Sequence, residues 1–278
     1  MNDPPERSIT SGLRHLFVLT DLEGVAGVTH WRQTRSLGPE QEEARGLLTG
    51  EVNAFVKGLR DAASRLSIDP PRISIWDGHG TGGLHLEALP PDTDRYRHDD
   101  PGGFAGVFEH GRTRVDPPID ALAFVGQHAM EGTGGNLAHT YSSRRVKRHT
   151  LNGVEVGEFE TRALHAWALG VPTVFFSGDD VACREARALV PDLIVVEVKR
   201  SLGVTEADCL SHEESCLALK AGGERLVESD LDRLDLSPRF QPEPPFVYRQ
   251  VKKPKWGLVP RPRRTLEGRD LAEVLRQV

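Results

Sequence analysis

The apolar positions of this 278-residue chain fall into short blocks whose spacing alternates between two periods. Leu16, Phe17, Val18 and Leu19 form a continuous apolar run that stops at Thr20 and Asp21, the pattern of a strand buried on both faces. Beyond Gly38 and Pro39, Leu47, Leu48, Val52, Phe55, Leu59, Ala62 and Leu66 recur mostly at steps of three and four, which predicts an amphipathic helix covering one sheet face. Arg72 to Trp76 and Ala121 to Val125 predict two further strands, which run out at Asp77-Gly78-His79 and at Gly126-Gln127-His128. Asn152-Gly153 between extended residues predicts a two-residue hairpin, because both turn positions tolerate positive φ. A helix with Phe159, Ala163, Leu164, Trp167 and Ala168 inward, a strand Pro172 to Phe176, a turn over Ser177 to Asp180, another helix and a strand Leu193 to Val198 continue the alternation.

Such alternation predicts an α/β fold: a layered α/β/α domain with a central, largely parallel sheet, plus a smaller C-terminal α+β portion. The expected organisation is a disordered N-terminal tail over residues 1–13, an α/β core over 14–200, and a helix-strand-helix portion over 201–278 packed on the core. That last portion holds a helix through about Gly222, a proline-rich joint from Pro238 to Pro245, a strand Phe246 to Val251 and a closing helix from Asp270. The polar, proline-containing stretch Pro90 to Arg114, with His98 and His110, is expected to be an irregular excursion. The basic segment from Lys252 to Arg264 is expected to be a solvated surface or a subunit contact.

Composition narrows the class. With 38% hydrophobic and 27% charged residues the chain fits a folded globular protein, and a formal net charge of -6 gives no footprint for nucleic acid. Cys183, Cys209 and Cys216 form no C-x-x-C pair, which suits packing roles in a reducing compartment rather than a disulfide framework. The polar start of the chain lacks the apolar stretch of a signal peptide, and no run approaches membrane-spanning length, so a cytoplasmic location without membrane contact is expected.

Three predicted strands end in groups suited to a metal: Asp21-Leu22-Glu23, Asp77-Gly78-His79 and His128. The carboxyl ends of strands form the ligand crevice of open α/β sheets. In extended backbone Asp21 and Glu23 leave the same face, and two carboxylates held together call for a cation or proton between them. A mixed set of carboxylate and imidazole suits zinc or a similar first-row metal. Each motif alone is equally a solvated turn, a helix cap or a hydrogen-bonded turn histidine; the coincidence at three strand ends is what points to a metal. Asp179-Asp180, before a predicted helix, is expected to be an N-cap pair rather than catalytic.

The strings TDLEGVAGV, WDGHG, GQHAMEGTGGNLAHT, LNGVEVGE and FSGDD, in this order from about Leu16 to Val198, resemble the DppA-type zinc D-aminopeptidases. The resemblance implies a two-zinc centre in which Asp21 bridges, Glu23 and His79 complete one metal, and His128 and Glu158 complete the other. It places the catalytic histidine at His139, as proton carrier or oxyanion stabiliser. Glu158 enters through the resemblance alone, since a Glu before a helix reads first as a favourable charge at the helix N-terminus. Asn136 and the amides of Gly132 to Gly135 are candidates for lining the substrate pocket. The implied activity is hydrolysis of short peptides or amides with an N-terminal D-residue, such as D-Ala-D-Ala, by a subunit of a ring-like homo-oligomer. Two other classes keep the same ligands: a two-metal amidase or phosphoesterase, and a metal-binding protein without turnover.

Overall fold

In the computed structural model, which describes residues 12–35, 37–255 and 259–278, the first apolar run is strand β1 (His15–Thr20), buried at every position. The tail expected to be disordered falls, over residues 1–11, outside the described residues. A short helix α1 (Arg32–Arg35) precedes α2 (Pro39–Leu66), which Pro39 opens in the first turn and Ser67 closes in the left-handed conformation, φ 55°. Strand β2 (Arg72–Asp77) lies parallel to β1, and β3 (Asp94–Tyr96) parallel to β2. Helix α3 (Gly103–Arg114) leads to β4 (Ala121–Gln127), parallel to the other side of β1. The stretch from Pro90 to Arg114 is therefore not an irregular excursion. Pro101, Gly102, Gly103 and Gly106 around the start of α3 mask the helical period, yet Phe108 is fully buried and meets Phe17 edge-on at 5.4 Å, which is enough apolar contact to fix the helix.

The Asn152-Gly153 turn, with φ of 48° and 87°, joins β5 (Val146–Leu151) to β6 (Val154–Glu155) as the dipeptide predicts. Then follow α4 (Glu158–Ala168), β7 (Thr173–Asp179), α5 (Asp180–Leu189) and β8 (Ile194–Gly203). Of the turn expected over Ser177 to Asp180, Ser177 to Asp179 are instead the buried end of β7 and Asp180 opens α5, with Asp179 accepting from the amides of Val181 and Ala182 as its N-cap. β9 (Glu206–Cys209), α6 (His212–Glu228), β10 (Phe246–Lys252), β11 (Arg264–Gly268) and α7 (Leu271–Leu275) complete the chain. β9 and β11 are short and charged, so their sequences carry no apolar alternation that would announce a strand. Among the described residues no helix is long and apolar enough to cross a membrane.

The large sheet has the order β3-β2-β1-β4-β7-β8-β9, parallel except for β9. Neighbouring residues of β7 show its two covered faces. Phe175 stacks on Phe55 of α2 at 4.3 Å, while Phe176 meets Phe159 of α4 at 5.0 Å, and successive side chains of a strand point oppositely. α2 and α6 thus cover one face, and α4 lies on the other beside α3, whose Phe104 contacts His165 of α4. A second, antiparallel sheet, β11-β10-β5-β6, encloses a small core of Leu151, Leu164, Phe246, Tyr248, Val274 and Leu275. Residues after 200 accordingly supply an edge strand and a helix to the large layer as well as two strands to the small sheet.

Strand order reverses at β1: the chain goes outward through β2 and β3, then returns to the opposite side of β1 for β4. Such a switch point opens a crevice beyond the carboxyl ends of the two central strands.

Candidate metal centre

The loops at that crevice are held by backbone contacts that only glycine allows. Gly126, at φ 75°, brings β4 so close to β1 that a Cβ there would stand 2.2 Å from the Asp21 carbonyl oxygen, and a Cβ on Gly24 would stand 2.0 Å from that of Gln127. Through these approaches the Asp21 amide donates to Val125 and the Gly24 amide to Gly126. The turn carrying His79 is fixed by Asp77, whose carboxylate accepts from the amides of Gly83 and Leu84. Lys199, buried in β8, donates to the carbonyls of Glu23 and Val28 at 2.5 and 2.6 Å and to Asn136 Oδ1 at 2.9 Å. One ammonium therefore ties the loop after β1 to the loop after β4.

Six buried side chains converge there. Donor atoms of Asp21, Glu23 and His79 all lie within 4.8 Å of one another, and so do those of His128, His139 and Glu158. The pairs His79 Nε2 with Glu23 Oε1, His128 Nε2 with Asp21 Oδ2, and His128 Nε2 with Glu158 Oε1 each stand 3.4 Å apart. That exceeds the length of a charge-assisted hydrogen bond, roughly 2.7–2.9 Å. It matches the edge of a tetrahedron of ligands about 2.0–2.1 Å from a zinc ion, which is about 3.4 Å. Among the described residues Glu23 Oε2 and His128 Nε2 are moreover buried without a hydrogen-bond partner, a costly state that a bound cation would relieve. The residues fit a metal. Asp21 belongs to both halves: it clusters with Glu23 and His79, and its Oδ2 faces His128.

Outer contacts set the tautomers. His128 Nδ1 lies 2.9 Å from the Ala129 carbonyl oxygen and His139 Nδ1 2.9 Å from that of Leu137. Each Nδ1–H donates to a carbonyl, which turns each Nε2 toward the centre, where that of His128 carries a proton or, in its place, a metal. Glu158 opens α4, with Oε1 accepting from the Tyr141 amide at 2.6 Å and Oε2 standing 3.3 Å from Arg162 Nη2. Asp21 Oδ1 accepts from the Leu22 amide and Oδ2 from Gln127 Nε2.

Burial disfavours the imidazolium at His79, yet Glu23 outweighs it and lifts the pKa to about 9. Burial likewise opposes the His128 cation, but Asp21 and Glu158 hold its pKa well above the usual value. Against the same burial, His128 and Arg162 draw Glu158 down to about 2. His139 moves the other way: burial, then the charge on His128, lowers its pKa and keeps the ring neutral.

Of the residues expected at the site, Asp21, Glu23, His79, His128, His139 and Glu158 are brought together. Asn136 is not a pocket residue. It is fully buried, its Nδ2 faces the carbonyls of Thr29, Gly203 and Val204, and its Oδ1 accepts from Lys199, so no polar atom is left for a substrate. Arg162 and Lys199 escaped the sequence reading. The signal for Arg162 was its place one turn after Glu158 on the same helix face; Lys199, between Val198 and Arg200 near the end of β8, carries no such signal.

Known proteins resemble this chain in sequence and in fold. The D-aminopeptidase of Bacillus subtilis (strain 168) is 26% identical over 197 residues, which are 70% of this chain and 67% of that protein. A solved structure, the Zn-dependent D-aminopeptidase DppA from Bacillus subtilis, described as a self-compartmentalizing protease, superposes with a TM-score of 0.76 at 22% identity, over 95% of this chain and 94% of that one. The pattern of one family, described as D-aminopeptidase, runs through residues 15–252 and takes in every donor residue of the centre; this chain belongs to the D-aminopeptidase family.

Proposed function

We propose that this chain is a zinc-dependent D-aminopeptidase that hydrolyses short peptides or amides with an N-terminal D-residue, such as D-Ala-D-Ala. The observation that carries the proposal is the meeting of two donor groups at Asp21, at the switch point between β1 and β4. Asp21, Glu23 and His79 would hold one zinc, and His128 and Glu158 a second that shares Asp21. When bound, such a pair supplies Lewis acidity that lowers the pKa of a water and polarises the substrate carbonyl. His139 Nε2, with its lone pair free and 3.9 Å from Glu158 Oε1, accepts the proton that the attacking water loses and returns it to the leaving amine. Buried His128, stacked on His139, and the Trp31 ring, edge-on at 5.6 Å, restrict the His139 imidazole to this position.

A ring-like assembly in the cytoplasm is part of the same proposal. The three cysteines are free, and Leu37, Leu202, Val204 and Leu217 are exposed apolar side chains that contacts between copies would cover.

The test is zinc content of the purified protein together with release of alanine from D-Ala-D-Ala and from its L,L isomer. Near two zinc per chain with D-selective turnover supports the proposal; bound zinc without peptide turnover defeats it. The arginines that line the cavity favour one second reading, a two-metal phosphoesterase, which a phosphate monoester assayed beside the peptides separates.

A further inference from the structure

The centre opens into a cavity of about 610 Å³ whose wall carries four guanidinium groups, those of Arg35, Arg144, Arg145 and Arg162. Its only lining carboxylates among the described residues are Asp21, Glu23 and Glu158, which face the donor cluster. Arg35 lies over the Trp31 ring, 3.3 Å from its centre, close enough to Arg144 that the two cations disfavour one another. Like charges held together at a cavity mouth raise the local potential and favour an anion between them.

Deeper in, Arg162 is held on three sides. Its guanidinium lies 5.4 Å from the ring centres of both Trp76 and Tyr141, and Nη2 pairs with Glu158 Oε2. Nη1 is buried and has no hydrogen-bond partner among the described residues. The side chain lines both the metal cavity and an adjoining one of about 390 Å³, which Trp76, His98 and Phe104 also line. Arg162 reaches one oxygen of the carboxylate whose other oxygen faces His128. It therefore stands one carboxylate away from the donor atoms. In a dipeptide the α-carboxylate carbon follows the scissile carbonyl carbon by three bonds, roughly 3–4 Å, whereas each further residue moves it about 3.8 Å outward.

We infer that Arg162, in the positive field of Arg35 and Arg144, receives the α-carboxylate of a peptide whose scissile bond is its last, so that the preferred substrates are dipeptides with a free C-terminus. The side chain of the leaving residue then faces the aromatic wall of the adjoining cavity. This assignment rests on the aminopeptidase reading and adds the substrate class to it. A planar fork held by two rings and a carboxylate loses little freedom on binding, which suits it to reading a planar anion.

The test compares D-Ala-D-Ala with D-Ala-D-Ala amide on the zinc-loaded enzyme. A charge-assisted hydrogen bond near the reacting atoms favours the free acid by about ten-fold or more in kcat/KM, carried mainly in KM. That advantage shrinks as ionic strength rises. The preference for acid over amide should collapse in Arg162→Gln and fall part-way in Arg162→Lys, which keeps the charge but not the fork. Because Arg162 also pairs with Glu158, zinc content is measured on each variant. A double variant at the exposed rim, R35Q with R144Q, gives an independent reading of the same ratio and should lower it. Equal turnover of acid and amide by the parent enzyme, or a ratio that survives in both sets of variants, overturns the inference and leaves the aminopeptidase reading standing. Absence of turnover on both substrates with zinc bound removes both.

Discussion

The imidazole of His139 lies flat on that of His128, with ring centres 3.9 Å apart and planes 15° apart. Both Nδ1 atoms are tied to backbone carbonyls, so both Nε2 atoms face Glu158, at 3.4 Å from His128 and 3.9 Å from His139. Two stacked imidazoles do not both carry charge at little cost. The sheet-end residue His128 faces two carboxylates, Asp21 and Glu158, which suits the proposed metal donor; the loop residue His139 is kept neutral, which suits the proposed proton carrier. Two identical side chains thus meet opposite electrostatic surroundings.

On the role proposed for His139, its removal should leave the metal in place. His139→Ala is expected to lower kcat on D-Ala-D-Ala by about 10²–10⁴-fold, the usual contribution of a positioned acid or base, with zinc content retained. Elemental analysis beside steady-state kinetics checks this. Loss of zinc in the variant would make His139 a ligand, and an unchanged kcat would remove it from the chemistry.

Asp21 faces both halves of the cluster, whereas Glu23 faces one. Asp21→Ala should consequently strip zinc from both positions, to well under one per chain, while Glu23→Gln should keep about one, because a shared ligand supports two metals and an unshared one supports a single metal. Equal losses in the two variants would contradict a bridging role for Asp21.

Asp21, Glu23, His79 and His128 were legible because they stand where uninterrupted apolar blocks stop, whereas Glu158 and His139 entered through the family resemblance alone. β1 and β4 declare themselves by Leu16 to Leu19 and Ala121 to Val125, and the polar residues that follow are thereby placed at the carboxyl edge of a sheet. Other parts depend on partners distant in sequence. Asn136, in a glycine-rich loop, looks exposed, but contacts to Val204 and Lys199 bury it, and those lie in and beside the β8-β9 hairpin. Lys199 and Arg162 are buried charges, and no local pattern distinguishes a buried charge from a solvated one until its acceptors are known. Helix α3 was hidden for a different reason: Phe104, Val107 and Phe108 are too few apolar positions among glycines to establish a period.

Lys199 satisfies three buried acceptors on two loops, so its loss should be felt in stability. Lys199→Met is expected to cost about 3–5 kcal/mol, the range for breaking one side of a buried charged network. Urea denaturation of the metal-free protein measures the cost without the contribution of bound zinc. A change below about 1 kcal/mol would show that the two loops are held by their glycine contacts alone.

The small sheet carries a buried histidine that is one residue, Tyr141, away from the donor cluster. His149 is almost wholly buried; Nδ1 bonds the Tyr248 hydroxyl, Nε2 lies 3.0 Å from Gln250 Nε2, and the ring stacks on Tyr141 at 5.4 Å. Burial holds its pKa down to about 4. An unfolded histidine titrates near 6.5, so between these values the unfolded chain binds the proton that the folded chain refuses. The stabilisation from neutral His149 is complete above pH of about 6.5 and is lost as pH falls through about 4, to an extent on the order of 3 kcal/mol. Carboxylates titrate in the same range, so the measurement is a difference: urea midpoints of the metal-free parent and of His149→Gln, followed from pH 7 to pH 4. The variant keeps a polar group at the position but has no proton to take up, and its midpoint should fall less steeply with acid than the parent's. Parallel curves would mean that protonated His149 is accommodated in the fold, with the Tyr248 hydroxyl turning to accept from the ring instead of donating to it.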